Sequence, residues 1–107
     1  MSLDFYLKAV RETEVFSRNI THNLNTMADA AGIYQHLWHP EDIGITKAVE
    51  LIEPLREGLA RLKADPEHFK QFDSKNGWGL YIHFVPFVEA CLEACEKNPD
   101  ATVYSST

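Results

Sequence analysis

The chain is poor in the features that mark most specialised small proteins. It has two cysteines, Cys91 and Cys95. Two thiols are too few for a closed zinc site. Their i, i+4 spacing suits one helix face and gives poor geometry for a disulfide. They read as reduced, buried, small apolar residues. Lys and Arg total ten, form no run, and leave a formal net charge of -6. An acidic surface is repelled by phosphate backbones, which excludes duplex DNA or RNA as a partner of the bulk surface. No apolar run approaches the roughly 18 residues of a membrane span, so no membrane partner is expected. The start MSLDFYLKAV lacks the charged head and long apolar stretch of a signal peptide. Cytoplasmic residence follows as the expectation. Neither G-x-G-x-x-G nor the Walker spacing occurs, and no serine stands in a nucleophile elbow.

What is present suits one globular domain over residues 1–107. The chain is long enough to bury one core without staples. The hydrophobic fraction is 45% and the charged fraction 24%, ordinary values for such a domain.

Leu3, Phe5, Leu7 and Ala9 alternate with Asp4, Tyr6, Lys8 and Val10, the period of a half-buried strand. Arg11, Glu12 and Thr13 turn the chain. Residues 14–20, EVFSRNI, return as the second arm of a hairpin. Leu24, Met27, Ala28 and Ala31 then recur at helical spacing, with Asn19 or Thr21 as cap and Gly32 as the residue beyond the end. Residues 33–38 form a short apolar element, and Pro40 opens a loop or helix start. A stripe from Ala48 to Leu62 follows, capped by Thr46, with Pro54 expected to kink or break it. Asp65-Pro66 opens a short helix through Phe69 and Phe72. Residues 73–79, DSKNGWG, are the clearest loop. A last helix carries Phe84, Val88, Cys91, Leu92 and Cys95 on one face. Residues 101–105, ATVYS, are strand formers. The predicted fold is α+β: a three-stranded antiparallel sheet, made of the N-terminal hairpin and the C-terminal strand, with four or five helices on one face.

Three polar segments are candidate sites. Asn19, Thr21, His22 and Asn23 gather where a strand hands over to a helix. Backbone N–H groups are free at such a start, and a His there can donate and accept. The plainer account is helix capping. Asn76, Gly77 and Trp78, with Tyr81 just beyond, put two glycines around an indole. Glycine lets a ligand approach the backbone, and Trp78 either stacks on a base or plugs the core. Trp38 and Glu41 lie in a third stretch with Tyr34, His36, His39 and Asp42. His36-x-x-His39 with a carboxylate is a weak metal pattern, and no metal site is assigned. No catalytic residue is assigned, although His22 beside a carboxylate would make an acid–base pair. No cofactor is implied.

Residues 19–24, NITHNL, residues 31–34, AGIY, with Leu37-Trp38-His39-Pro40-Glu41, and Asn76-Gly77-Trp78-Gly79-x-Tyr81 together resemble a family of small proteins of bacteria and their phages. The resemblance runs through residues 98–101, NPDA. His39 stands where such proteins more often carry a basic residue. The resemblance implies no activity. Its phage setting raises capture of a nucleotide-derived signal in the host cytoplasm.

The expectation is therefore a non-enzymatic small-ligand binder, with a nucleotide or nucleotide-derived signal as ligand. One pocket would be shared by His22, Asn23, Trp38 and Trp78. A module that binds a host protein is the second reading, and a small hydrolase or transferase using His22 the third. The open edges of a three-stranded sheet would also suit a homodimer.

Overall fold

A computed structural model describes residues 2–9 and 13–107. The chain runs β1 (Ser2–Lys8), β2 (Glu14–Thr21), α1 (Asn25–Ala30), α2 (Tyr34–Trp38), α3 (Val49–Ala64), α4 (Pro66–Lys70), α5 (Tyr81–Lys97) and β3 (Thr102–Ser106). Single 3-10 turns precede α1 at His22–Leu24 and follow α2 at Pro40–Ile43.

The three strands form one antiparallel sheet in the order β2-β1-β3. The fold is α+β, as its alternating and helical patterns predict. β1 is central because both partners pair with it: Leu3 faces Ile20, and Leu7 faces Val103. Leu3, Phe5 and Leu7 are fully buried. Facing residues of paired strands share a sheet face, so Asp4, Asn19, Tyr6 and Tyr104 lie on the opposite one. There the rings of Tyr6 and Tyr104 stack at 5.2 Å. The register of β1 on β2 slips between Leu7 and Lys8. The expected turn at Arg11 and Glu12 lies outside the described residues, although Ala9 N donates to Thr13 O at 2.7 Å.

α3 and α5 pack against each other and carry much of the core through Leu51, Leu55, Leu62, Phe84, Val88 and Cys91. Arg56–Glu96 and Lys63–Glu89 ion pairs, each at 2.9 Å, join the two helices at the surface. Pro54 does not break α3, which runs unbroken from Val49 to Ala64. Proline removes one backbone donor, and the buried leucines on either side of it hold the two turns in line. The start of α3 differs from the expected Thr46 side-chain cap. Glu50 Oε1 instead accepts from Thr46 N at 3.0 Å and Lys47 N at 2.9 Å. Those two amide hydrogens hold the Glu50 carboxyl below its ordinary range. Asp65 does cap α4, accepting from His68 N at 3.3 Å, with Pro66 in first position.

Two features position the site. β2 is an edge strand whose C-terminal end, Ile20–Thr21, leads directly into the first 3-10 turn. α5 packs beside β2, and the loop before it, residues 71–80, reaches back to that junction.

Candidate functional site

The junction and the loop meet in a groove of about 880 Å³. Asn19, Thr21 and Asn23 line one side, and Asn76, Gly77 and Trp78 the other. Thr21 Oγ1 accepts from Asn23 N at 3.4 Å, starting the turn. Asn19 lies on the outer sheet face and donates to Asp4 Oδ1 at 2.6 Å and Ser2 Oγ at 3.1 Å.

The loop is built by its own polar side chains. Asn76 Oδ1 accepts from Trp78 N at 2.9 Å and from the Ser74 hydroxyl. Ser74 N donates to Gly79 O at 3.1 Å, closing the loop's base. Asn23 Nδ2 then donates to Trp78 O at 3.0 Å, tying loop to junction. Gly79 makes the approach feasible. Its φ is +107°, and a Cβ there would stand 3.1 Å from Asn23 Cβ and 3.2 Å from Thr21 Cγ2. Only glycine accepts that backbone without strain.

The result is an indole held out in water. Trp78 is 70% exposed, although its backbone is fixed on both sides. The alternative of Trp78 as a core plug does not hold. An exposed indole face rimmed by polar groups is a surface on which a flat ligand or a partner side chain can stack.

The hydrogen bonds that hold the asparagines use Nδ2 of Asn19 and Asn23 and Oδ1 of Asn76. The other amide atoms remain to meet a ligand: two carbonyl acceptors and one NH₂ donor. The Ser2 and Thr21 hydroxyls, each already accepting, have a hydrogen to donate. No carboxylate, lysine or arginine is among the described residues that line the groove. Its one titratable side chain is His83, from the first turn of α5.

The remaining sequence candidates lie elsewhere. Trp38 is 1% exposed. The short α2 turns Leu37 and Trp38 into the core, where Trp38 stacks on Tyr34 at 5.5 Å. Its Nε1 donates to His22 Nδ1 at 3.0 Å. An indole N–H only donates, so Nδ1 of His22 must accept and the neutral ring carries its proton on Nε2. That N–H needs an acceptor, so the Asn25 side-chain amide, 3.3 Å away, must turn its oxygen toward it. His22 therefore anchors a core tryptophan, and neither of these partners is a carboxylate. The pocket expected to unite His22, Asn23, Trp38 and Trp78 is replaced by a groove holding only Asn23 and Trp78 of the four. Tyr81 is a strut: its hydroxyl donates to Leu62 O at 2.6 Å and its N–H to Asp73 Oδ1 at 2.7 Å.

Glu41 stands in a separate exposed cluster, with its Oε1 3.9 Å from His39 Nδ1. Ligand atoms of His39, Glu41 and Asp42 lie within 4.8 Å of one another. His36 does not join them. Its Nδ1 is buried with no hydrogen-bond partner, and desolvation lowers its pKa.

Sequence reasoning missed Ser2, Ile20 and His83 in the groove wall, while Gly79 is the second of the two glycines expected around the indole. Ser2 had a findable signal, because the hairpin register sets it opposite Thr21. His83 had none, since a helix's first turn does not reveal which side faces a distant strand.

No family model, curated protein or solved structure matches this chain. Among the described residues, no helix is long and apolar enough to cross a membrane.

Proposed function

We propose that this protein binds a small molecule bearing a planar ring, with a nucleobase-containing ligand as first choice, and sequesters it rather than turning it over. One observation carries the reading. Trp78 is tethered by its backbone, open to solvent through its ring, and surrounded by amide and hydroxyl groups. A nucleobase has a flat face to stack and an edge of donors and acceptors to pair. Stacking of a base on an aromatic side chain is worth about 1–3 kcal/mol. The amide atoms of Asn19, Asn23 and Asn76 match the edge.

Sequestration is favoured over turnover by the chemistry of the walls. Asparagine, serine and threonine side chains bind without activating water, and the one histidine of the groove, His83, has no carboxylate beside it among the lining residues described. His22, the candidate base, is engaged with Trp38 and Asn25. Capture of a nucleotide-derived signal, the role that a phage setting raises, needs binding alone.

A protein partner is the second reading. Trp78 and Ile82, at 70% and 64%, are the most exposed of the large apolar side chains described. They are four residues apart at the entry to α5. Exposed aromatic anchors of this kind are typical of interface hot spots.

Thermal unfolding in the presence of nucleosides, nucleotides and signalling dinucleotides tests the first reading. At least one compound should raise the midpoint for the wild type and leave Trp78→Ala unmoved. A panel without any shift, together with one stoichiometric partner retained through Trp78, would instead establish the second.

A further inference from the structure

The groove does not end at Asn19. Asn19, Ile20 and His83 also line a second cavity of about 290 Å³, which continues along the seam between β2 and α5. Arg18 stands at that end, with Pro86 and Phe87 opposite. The seam therefore runs from an exposed indole, through neutral amides, to a guanidinium.

Arg18 differs from the other arginines described. Arg56 is tied to Glu53 and Glu96, and Arg61 lies 3.7 Å from Glu57. Arg18 has no carboxylate partner among the described residues. It donates to Ser17 O at 2.8 Å and rests its Cζ 5.0 Å from the centre of the Phe16 ring. Those contacts hold the side chain along the seam and leave its charge uncompensated. Glu93, which lines the next stretch of the seam with Arg18, is already paired with Lys97 at 2.7 Å. At the other end, Asp4 lies behind Asn19 and disfavours an anion beside Ser2.

The charges are thus polarised along one binding track. We infer that the ligand is a nucleotide rather than a nucleoside: its base stacks on Trp78, and its phosphate lies at Arg18, with His83 between them. This rests on the reading of the groove as a ring-binding site and adds the anionic end. Arg18 and Thr21 are three residue steps apart along β2, about 10 Å at the usual rise, and the guanidinium lies further on, over the Phe16 ring, so a phosphate meets it only at the far end of an extended ligand. Arginine presents a planar fork of donors to phosphate oxygens, a stronger bond than between neutral groups.

Calorimetric titration with the four common nucleosides and their 5′-monophosphates tests this. Wild type, Arg18→Gln and Trp78→Ala should be compared at low and high salt. At low salt, the preferred monophosphate should bind about tenfold tighter than its nucleoside. The gain should vanish in Arg18→Gln, shrink with salt, and survive in part in Arg18→Lys. Trp78→Ala should lose both ligands. Equal affinity for nucleoside and monophosphate, or a gain that persists in Arg18→Gln, overturns the phosphate assignment and leaves the ring-binding reading standing. If none of the eight compounds binds the wild type, both fall.

Discussion

The side-chain amide of Asn23 donates to the backbone carbonyl of Trp78 at 3.0 Å, joining positions 55 residues apart. This bond sets where the loop before α5 lies. Asn23→Ala should cost little stability, about 0.5–1.5 kcal/mol for one hydrogen bond. Its larger effect should be local. Amide hydrogen exchange at Gly77, Trp78 and Gly79 should quicken, because the loop loses its tie to the junction. Unchanged exchange there would mean that the loop's internal bonds suffice.

His22 and Trp38 form the second long-range polar contact of this region. Replacing His22 with Leu leaves a buried indole N–H without an acceptor. That should cost about 1–3 kcal/mol in urea unfolding. Trp38→Phe removes the orphaned donor, so the double variant should lose less than the sum of the two single changes. Additive losses would show that the bond contributes nothing to the pair.

His36 makes stability depend on pH. Burial lowers its pKa in the folded protein from the ordinary 6.5, and its Nδ1 has no partner. Below 6.5 the unfolded chain takes up a proton more readily than the folded one. Stability is therefore full above that pH and is lost as pH falls toward the depressed folded value. Thermal midpoints measured between about pH 7.5 and 5 should fall for the wild type, with a shallower fall in His36→Gln. Parallel curves would contradict the assignment to His36.

Cys91 and Cys95 should be inert in the folded protein. Burial pushes the Cys91 thiol well up and the Cys95 thiol up to about 12. Thiolate is the reactive form, and it is scarce at pH 8 for both residues. A thiol reagent should therefore label neither residue until denaturant is added, and labelling should track unfolding. Rapid modification under native conditions would show that α5 opens locally.

Much of the architecture was legible because burial imposes a period. Leu3, Phe5 and Leu7 alternate cleanly, and the stripes of α3 and α5 recur at helical spacing. The placement of β3 against β1, rather than beyond β2, was not legible, since pairing partners are chosen by the whole sheet. Pro54 does not break α3: the local cost of proline in a helix is visible in sequence, while the packing that offsets it is not. The two tryptophans show the same limit in the site. Trp38 lies in a five-residue helix, too short for periodicity to say which side faces inward. Trp78 lies in a loop, where no period exists. Asn19, Thr21, Asn23, Asn76, Gly77 and Trp78 do meet at one groove. Arg18 escaped notice because, within a strand, its lack of an acidic partner becomes visible only in three dimensions.

The most direct test of the ring-binding groove is an amide and indole NMR titration with a purine 5′-monophosphate. The Trp78 indole N–H and the side-chain amides of Asn19, Asn23 and Asn76 should shift together and saturate, while the buried Trp38 indole stays in place. Absence of saturable shifts at Trp78, or shifts centred on the His39–Asp42 segment instead, would contradict a ligand site in this groove.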